Sequence, residues 1–156
     1  MKIGSVLTSD HIILNAVLKD KDSLLRFIAD TLVRLGHVSS PENLYHSLKK
    51  REEIMSTGIG GGIALPHAFS AETEDLALLF IRPENPLPFQ SLDGKPVDIA
   101  IPIIVPGNES SLHLRTLAAV SALCRKPEFM KEVRRAAEPQ QIWELIRETE
   151  EKGSCG

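Results

Sequence analysis

The sequence is poor in the residues that mark several classes of protein. It has two cysteines, Cys124 and Cys155, and no Cys-x-x-Cys pair, so neither a disulfide scaffold nor a thiolate metal site is indicated. We interpret Cys124 as a buried structural residue and Cys155 as a thiol in a loose tail. Aromatic residues make up only 4% of the chain. No long basic run is present and the net charge is −3, so a nucleic-acid partner is not expected.

Long apolar runs are missing too. The mainly apolar stretch 99–105 is far shorter than the roughly 20 residues that a membrane-spanning helix needs. The N-terminus also lacks the basic and then apolar layout of a signal peptide. We therefore expect a cytoplasmic protein that does not insert directly into a membrane.

What the chain does contain is typical of one globular domain. Its 156 residues are 42% hydrophobic and 25% charged, which argues against disorder and against a fibrous class. A chain of this length buries roughly two thirds of the surface that it exposes when unfolded. We expect a domain over residues 1–150 and a flexible tail over 151–156, with no internal repeat.

Hydrophobic periodicity predicts helices interleaved with buried strands, which indicates an α/β domain. The aliphatic runs 76–81 and 97–105 are typical of strands. Asp22-Ser23 offers a cap for the first helix and Gly36 a stop, while Ser40-Pro41 is a typical start for the second. The helices are predicted over residues 24–35, 41–54, 110–123, 129–136 and 139–150.

The stretch from Arg51 to His67 carries the strongest chemical signal. Four glycines within residues 58–62 predict a loop, because so many glycines cost a helix or strand interior too much backbone entropy. Backbone N–H groups in such a loop can bind an anion, although a plain connector remains the alternative. His67 follows a short extended run, 63–65, and a neutral imidazole can act as the nucleophile that takes up a phosphoryl group.

The glycine loop does not match the common nucleotide-binding motifs. It lacks the Gly-Lys-Ser/Thr of a Walker loop, and Ile63 stands where a dinucleotide fingerprint needs its third glycine. We therefore predict no cofactor. We also predict no metal site, because His11, His37 and His46 share no ligand spacing and are assigned to surface or packing.

Two further side chains suit phosphate chemistry. His113 lies in the first turn of a predicted helix, capped by Ser110 or Ser111, where the helix dipole disfavours an imidazolium and favours an anion. Arg51 offers a permanent positive charge in a shape that matches phosphate oxygens. The alternatives are a histidine hydrogen-bonded near a helix start and a solvated arginine at a helix end.

The motif that contains His67 resembles a known family. The residues Arg51-Glu52, the run 56–60 and Ile63-Ala64-Leu65-Pro66-His67 are similar to the active-site signature of the enzyme IIA domains of the fructose and mannitol class. These domains belong to the bacterial phosphoenolpyruvate:sugar phosphotransferase system (PTS). The likeness continues through residues 89–98, Val105-Pro106 and His113-Leu114, and so covers most of the chain. The Ser-Thr-Gly-Ile-Gly loop and the absence of a fused domain resemble the stand-alone nitrogen-related enzyme IIA more than a sugar-specific component.

The resemblance implies a fold and a mechanism. The fold is a single domain with a mixed β-sheet flanked by α-helices on both sides. His67 would accept a phosphoryl group from an HPr-type carrier, with His113 and Arg51 stabilising that group. Ala68 stands where members commonly have glycine, which leaves the loop geometry after His67 open. The amides of a phosphate-binding loop would hold the phosphoryl oxygens, and we assign it to Thr57, Gly58, Ile59, Gly60 and Gly61.

The destination of the phosphoryl group remains open. In a regulatory protein, phosphorylation changes which target docks on an apolar surface, for which the candidate residues are Met55, Ile59, Ile63 and Phe69. Core packing is the alternative for Ile63 and Met55. In a sugar-uptake component, an enzyme IIB accepts the group. A third hypothesis is an interaction domain that carries out no phosphotransfer.

Overall fold

A computed structural model describes the backbone of residues 1–155 and the side chains of residues 1–153. Within these residues, 3₁₀ turns at Ile3–Ser5 and Ser9–His11 come before the first strand. The helices are α1 (Lys21–Arg34), α2 (Pro41–Ile54), α3 (Ser110–Cys124), α4 (Pro127–Arg135) and α5 (Pro139–Cys155). The strands are β1 (Ile12–Ala16), β2 (Gly58–Gly60), β3 (Ile63–Ala64), β4 (His67–Ser70), β5 (Ala77–Leu78), β6 (Phe80–Pro83), β7 (Ile99–Ala100) and β8 (Ile103–Pro106).

The strands of the described chain form two mixed sheets. The first has the order β1-β6-β7-β3-β2, and the second has the order β4-β8-β5. In the first sheet β1 runs parallel to β6 and β3 parallel to β7, whereas β6 and β7 are antiparallel. In the second sheet β8 lies parallel to β4 and antiparallel to β5. The predicted α/β class is confirmed, with the β structure divided in two.

Extended segments of the chain pass from one sheet to the other. The prediction of single strands over 76–81 and 97–105 is wrong, because each segment divides into a strand of each sheet. Proline lies at two of the crossings, Pro66 between β3 and β4 and Pro102 between β7 and β8, and it has no N–H to donate to a ladder. The sheets stay connected there because the N–H of Ile103 donates to the carbonyl of Pro66 at 2.9 Å.

Hydrophobic cores form on both faces of the strands. Successive side chains of a strand point to opposite faces, so neighbours in sequence belong to different cores. Together with α1 and α2, one core contains Ala64, Ala68, Ala100 and Ile104. Together with α3, α4 and α5, the other contains Ile63, Leu65, Ile99, Ile101, Ile103 and Val105. The β structure therefore lies between helical layers on both sides, as predicted.

The ends of α1 and α2 show which residues stop and start a helix here. The predicted Asp22-Ser23 cap is wrong: Asp20 is the cap, and its carboxylate accepts the N–H of Ser23 at 2.8 Å. The hydroxyl of Ser23 in turn accepts the N–H of Asp20 at 3.1 Å, which completes a capping box. Gly36 follows α1 with a φ of 84°, in the left-handed conformation of a helix stop. Ser40 caps α2 as predicted.

The second half of the chain follows the predicted order of helices. The predicted capping of α3 by Ser110 or Ser111 is wrong. Glu109 occupies the N-cap position, and its side chain makes no capping hydrogen bond. The backbone of α5 is helical through residue 155, beyond the predicted end of this helix near 150. The domain boundary at 150 and the flexibility of the tail stay predictions. The side chain of Cys155 and all of Gly156 lie outside the described residues. Strand β1 was not predicted.

Cys124 lies at the end of α3 and is half-buried. Burial raises the pKa of its thiol to about 11, so the thiol stays protonated at neutral pH, as a structural cysteine does.

Across the part of the chain that the structure describes, no helix combines the length and the apolar character that a bilayer-spanning segment requires.

Replacing the cap of α1 tests the assigned helix start. We expect Asp20→Ala to lower the free energy of unfolding by about 1 kcal/mol, because the Ser23 N–H loses its acceptor. Asp30→Ala, at an exposed position inside the same helix, should change it by no more than about 0.5 kcal/mol. Urea denaturation measures both, and equal values for the two variants would contradict the assigned cap.

Candidate active site

His67 lies where the chain crosses from the first sheet to the second. It is the first residue of β4 and pairs with Ile103 of β8. Helix α2, which carries Arg51 in its last turn, packs against β4, and α3 packs against β8. Residues that are far apart in the sequence therefore meet at this crossing.

Hydrogen bonds to both ring nitrogens define the tautomer of His67. Its Nδ1 lies 2.8 Å from the carbonyl oxygen of Leu65, and because a carbonyl only accepts, Nδ1 must carry the proton. The Nε of Arg51 lies 3.1 Å from the Nε2 of His67, and because a guanidinium only donates, Nε2 must hold the lone pair. Nε2 is therefore the nucleophilic nitrogen of this imidazole.

The guanidinium of Arg51 is held in place rather than freely solvated. Besides the bond to His67, its Nη1 donates to the carbonyl of Met55 at 2.9 Å, at the C-terminal end of α2. Among the described residues, no carboxylate lies within ion-pair distance of Arg51. A positive charge beside Nε2 is therefore available to an anion that binds there.

His113 extends from α3 to His67. The centroids of the two imidazole rings are 4.7 Å apart, with an interplanar angle of 44°. Among the described side-chain atoms, Nδ1 of His113 is one of the few that are buried and have no hydrogen-bond partner. An unpaired buried polar atom costs about 1–3 kcal/mol, so the ring next to His67 has a polar group whose hydrogen-bonding capacity is unused. The predicted meeting of His67, His113 and Arg51 is thus present in the structure.

Burial lowers the pKa of both His67 and His113 from the ordinary value of 6.5. For His67, desolvation is the largest cause, and the charge of Arg51 also lowers the pKa, while the hydrogen bond to Leu65 raises it. For His113, desolvation again comes first and the charge of Arg51 second. Both rings are therefore neutral at neutral pH, so His67 keeps its lone pair.

The predicted glycine loop is partly a β-hairpin, because β2 pairs with β3 in antiparallel fashion. Three of the amides in the assigned loop already have partners: the N–H of Thr57 donates to Glu52 at 2.8 Å, that of Gly58 to Ser56 at 3.1 Å and that of Gly61 to Asp93 at 3.0 Å. A phosphate bound by these N–H groups would have to replace those bonds. The assignment of the phosphate-binding loop, including Ile59 and Gly60, stays a prediction.

Apolar side chains are exposed close to the site. Met55, whose carbonyl holds Arg51, is 61% exposed, and Phe69, whose ring lies 5.4 Å from that of His113, is 40% exposed. Ile59 is exposed and Ile63 is buried, so of the two residues with core packing as the alternative only Ile63 belongs to the core. Leu114, which follows His113 in α3, is exposed too. It was not predicted as a surface residue, because no local sequence pattern distinguishes it from the other leucines of this helix.

The remaining histidines lie elsewhere. His11 and His37 contact each other, with 2.7 Å between their Nε2 atoms, a pairing that their spacing did not predict. His46 is exposed on α2, near Glu42. Within the described part of the chain, no group of three or more His, Cys, Asp and Glu side chains is arranged to hold a metal ion.

Residues 5–149 match the family described as "Phosphoenolpyruvate-dependent sugar phosphotransferase system, EIIA 2". The chain belongs to this family. EIIA domains are components of the phosphotransferase system that carry phosphoryl groups, and the resemblance inferred from the residues around His67 is confirmed.

Relatives of this EIIA chain include both regulatory and sugar-specific proteins. It is 32% identical to the nitrogen regulatory protein of Escherichia coli K12 over 111 residues, which are 70% of this chain and 68% of that protein. It is 30% identical to the fructose-specific EIIABC component of Bacillus subtilis over 148 residues. That match covers 95% of this chain but 23% of the relative, so the chain spans about a quarter of that longer protein.

Solved structures share the fold of this EIIA chain. The nitrogen regulatory protein IIA-Ntr of Neisseria meningitidis has a TM-score of 0.85 at 27% identity, and the match covers 92% of this chain and 98% of that one. The mannitol enzyme IIA of Escherichia coli, solved in complex with phosphorylated enzyme IIB, has a TM-score of 0.75 at 20% identity, with 90% and 96% covered. The mannitol structure supports the shared fold alone.

The electrostatics of the site predict the titration of His67. We expect its pKa, followed by NMR of the imidazole protons, to lie below 6.5, and Arg51→Gln to raise it by removing a positive charge. The exposed Lys50→Gln, next in sequence, should leave it unchanged. Because folding lowers this pKa, the folded state loses stability as the pH falls from about 6.5 through the lowered value. An unchanged pKa in Arg51→Gln would contradict the assigned interaction.

Proposed function

We propose that Nε2 of His67 accepts a phosphoryl group from an HPr-type carrier protein, and that Arg51 and His113 stabilise the group. The observation that supports this most directly is the tautomer of His67, because the Leu65 carbonyl occupies Nδ1 and leaves the only lone pair on Nε2. We further propose that the reaction takes place in the cytoplasm, where phosphoenolpyruvate is made.

The transfer is an in-line displacement at phosphorus. The lone pair of Nε2 forms the new N–P bond while the bond from phosphorus to the carrier's histidine breaks, and that histidine keeps the electron pair. The N–H of Arg51 that bonds to Nε2 in the free protein is released to donate to the phosphoryl oxygens. The proton on Nδ1 stays in its bond to Leu65, which supports the positive charge that develops on the ring. The incoming group is already activated as a phosphoramidate, so the step needs neither a nucleotide nor a metal ion.

A regulatory role is the first candidate for the use of the phosphoryl group. A phosphoryl group at Nε2 places negative charge beside the exposed Met55 and Phe69, and such a charge changes which proteins dock on an apolar surface. The similarity to nitrogen regulatory proteins over most of both chains supports this role.

The sugar-uptake role is the second candidate. The chain aligns over 95% of its length with a fructose-specific protein whose name joins the A, B and C components, so transfer from His67 to a IIB domain is the alternative destination. Mixing the phosphorylated protein with a fructose-type IIB domain separates the two candidates. Rapid, complete loss of phosphate to IIB would favour uptake, and retention would favour regulation.

Intact-mass spectrometry tests the acceptor. After incubation with phosphoenolpyruvate, enzyme I and an HPr-type carrier, we expect one acid-labile phosphate on the wild type, none on His67→Ala and one on the exposed control His46→Ala. A phosphate on His67→Ala would refute the assignment of the acceptor. Absence of phosphate on the wild type with several competent carriers would refute phosphotransfer and favour an interaction domain.

The role of His113 is tested by rate rather than by stoichiometry. We expect His113→Ala to slow phosphorylation roughly 100-fold, as the loss of one donor to a transition state does, while one phosphate is still reached at the endpoint. Quench-flow mass spectrometry measures the rate. A variant as fast as the wild type would remove His113 from the mechanism.

A further inference from the structure

Next to Arg51 in α2 lies a buried carboxylate, Glu52, which takes no part in the proposed transfer. We propose that Glu52 is a positioning residue: by fixing Thr57, it holds the Leu65 carbonyl against Nδ1 of His67 and so keeps the lone pair on Nε2. This inference rests on the proposed function of His67.

Both carboxylate oxygens of Glu52 have hydrogen-bond or ion-pair partners. Its Oε1 accepts the N–H of Thr57 at 2.8 Å and its Oε2 accepts the hydroxyl of Thr57 at 2.6 Å. The ammonium of Lys21 on α1 lies 3.1 Å from Oε1. The side chain of Glu52 is only 5% exposed, so these donors take the place of water around the carboxylate. Because Glu52 binds both the main chain and the side chain of Thr57, it restrains the conformation of that residue.

Main-chain bonds carry this constraint from Thr57 to His67. The carbonyl of Thr57 accepts the N–H of Leu65 at 3.0 Å, and the carbonyl of Leu65 receives the bond from Nδ1 of His67 at 2.8 Å. On the far side of Leu65, the carbonyl of Pro66 accepts the N–H of Ile103. The Leu65 carbonyl is therefore held between an anchor in the second sheet and an anchor that depends on Glu52.

A carboxylate suits this arrangement best. Lys21 and both donors of Thr57 all need acceptors, and an ionised glutamate offers acceptors alone. A glutamine of the same shape can keep Lys21 and the Thr57 N–H on its oxygen only if its NH2 group faces the Thr57 hydroxyl, which must then turn and accept. The charge-assisted bonds of the carboxylate to Thr57 are then replaced by weaker neutral ones. A weaker Thr57 anchor lets the Leu65 carbonyl shift away from Nδ1. The N–H of Arg51 is then the remaining group that favours the lone pair on Nε2, so part of the population can carry the proton on Nε2, where it blocks attack.

A purely structural role makes a different prediction. Glu52 as a packing or stability residue would lower the melting temperature on substitution but leave the tautomer of His67 as it is. Glu52 as a positioning residue must change the ring nitrogens themselves. Nitrogen-15 NMR distinguishes the two, because the chemical shifts of Nδ1 and Nε2 report which nitrogen carries the proton.

The experiment compares Glu52→Gln with the exposed neighbour Glu53→Gln. In the wild type and in Glu53→Gln, we expect a single Nδ1–H tautomer at a pH where the ring is neutral. In Glu52→Gln we expect a mixture with the Nε2–H form and a rate of phosphorylation about tenfold lower, the size expected from one lost hydrogen bond. Wild-type nitrogen shifts together with a wild-type rate in a folded Glu52→Gln would overturn the proposal.

Substitutions of Thr57 test the same link if Glu52→Gln does not fold. Thr57→Val removes the hydroxyl bond to Glu52 and keeps the shape, so it should shift the tautomer in the same direction, whereas Thr57→Ser keeps the hydroxyl and should restore the wild-type spectrum. A wild-type spectrum in Thr57→Val would count against the link. The spectra need no phosphoryl donor, so a wild type that accepts no phosphate refutes the proposed function while the tautomer comparison still decides the role of Glu52.

Discussion

The chemistry proposed for this protein depends on the hydrogen bond from Nδ1 of His67 to the carbonyl of Leu65. An imidazole has two nitrogens that compete for one proton, and a group that occupies one of them decides which nitrogen can attack. The crossing between the sheets provides that group. The carbonyls of Ala64 and Pro66 accept the N–H groups of Ile101 and Ile103 on one side of the extended run, and the Leu65 carbonyl between them receives the side chain two residues later.

The charges around the site are arranged to receive an anion. Arg51 lies beside a neutral His67, while the neighbouring Glu52 is bound to Lys21 and Thr57. The two charges act on His67 in opposite directions, because Arg51 lowers its pKa and Glu52 raises it, but Glu52 is paired with Lys21 whereas Arg51 stays available to phosphate. His113 lies beside His67, and its Nδ1 has no hydrogen-bond partner among the described residues.

Membership of the EIIA family accounts for these features together. A carrier must receive a phosphoryl group and release it again, so its site needs an accessible nucleophile, modest stabilisation and a surface that other proteins can reach. The half-buried ring of His67 and the exposed apolar side chains of Met55 and Phe69 meet those needs. The same surface would serve a regulatory target or a IIB domain, so the partner that docks there would decide the destination of the group.

The sequence alone determined the α/β class, the approximate span of every helix, the family and the identity of the three side chains that meet at the site. These features have local signatures: hydrophobic period, Ser40-Pro41 at a helix start, and the motif from Arg51 to His67. The tertiary structure decided the rest. It divided the segments 76–81 and 97–105 between two sheets, gave the amides of Thr57, Gly58 and Gly61 to Glu52, Ser56 and Asp93, and placed the proton of His67 on Nδ1. Each of these outcomes depends on which groups distant in sequence come within hydrogen-bond reach, and no local pattern carries that information.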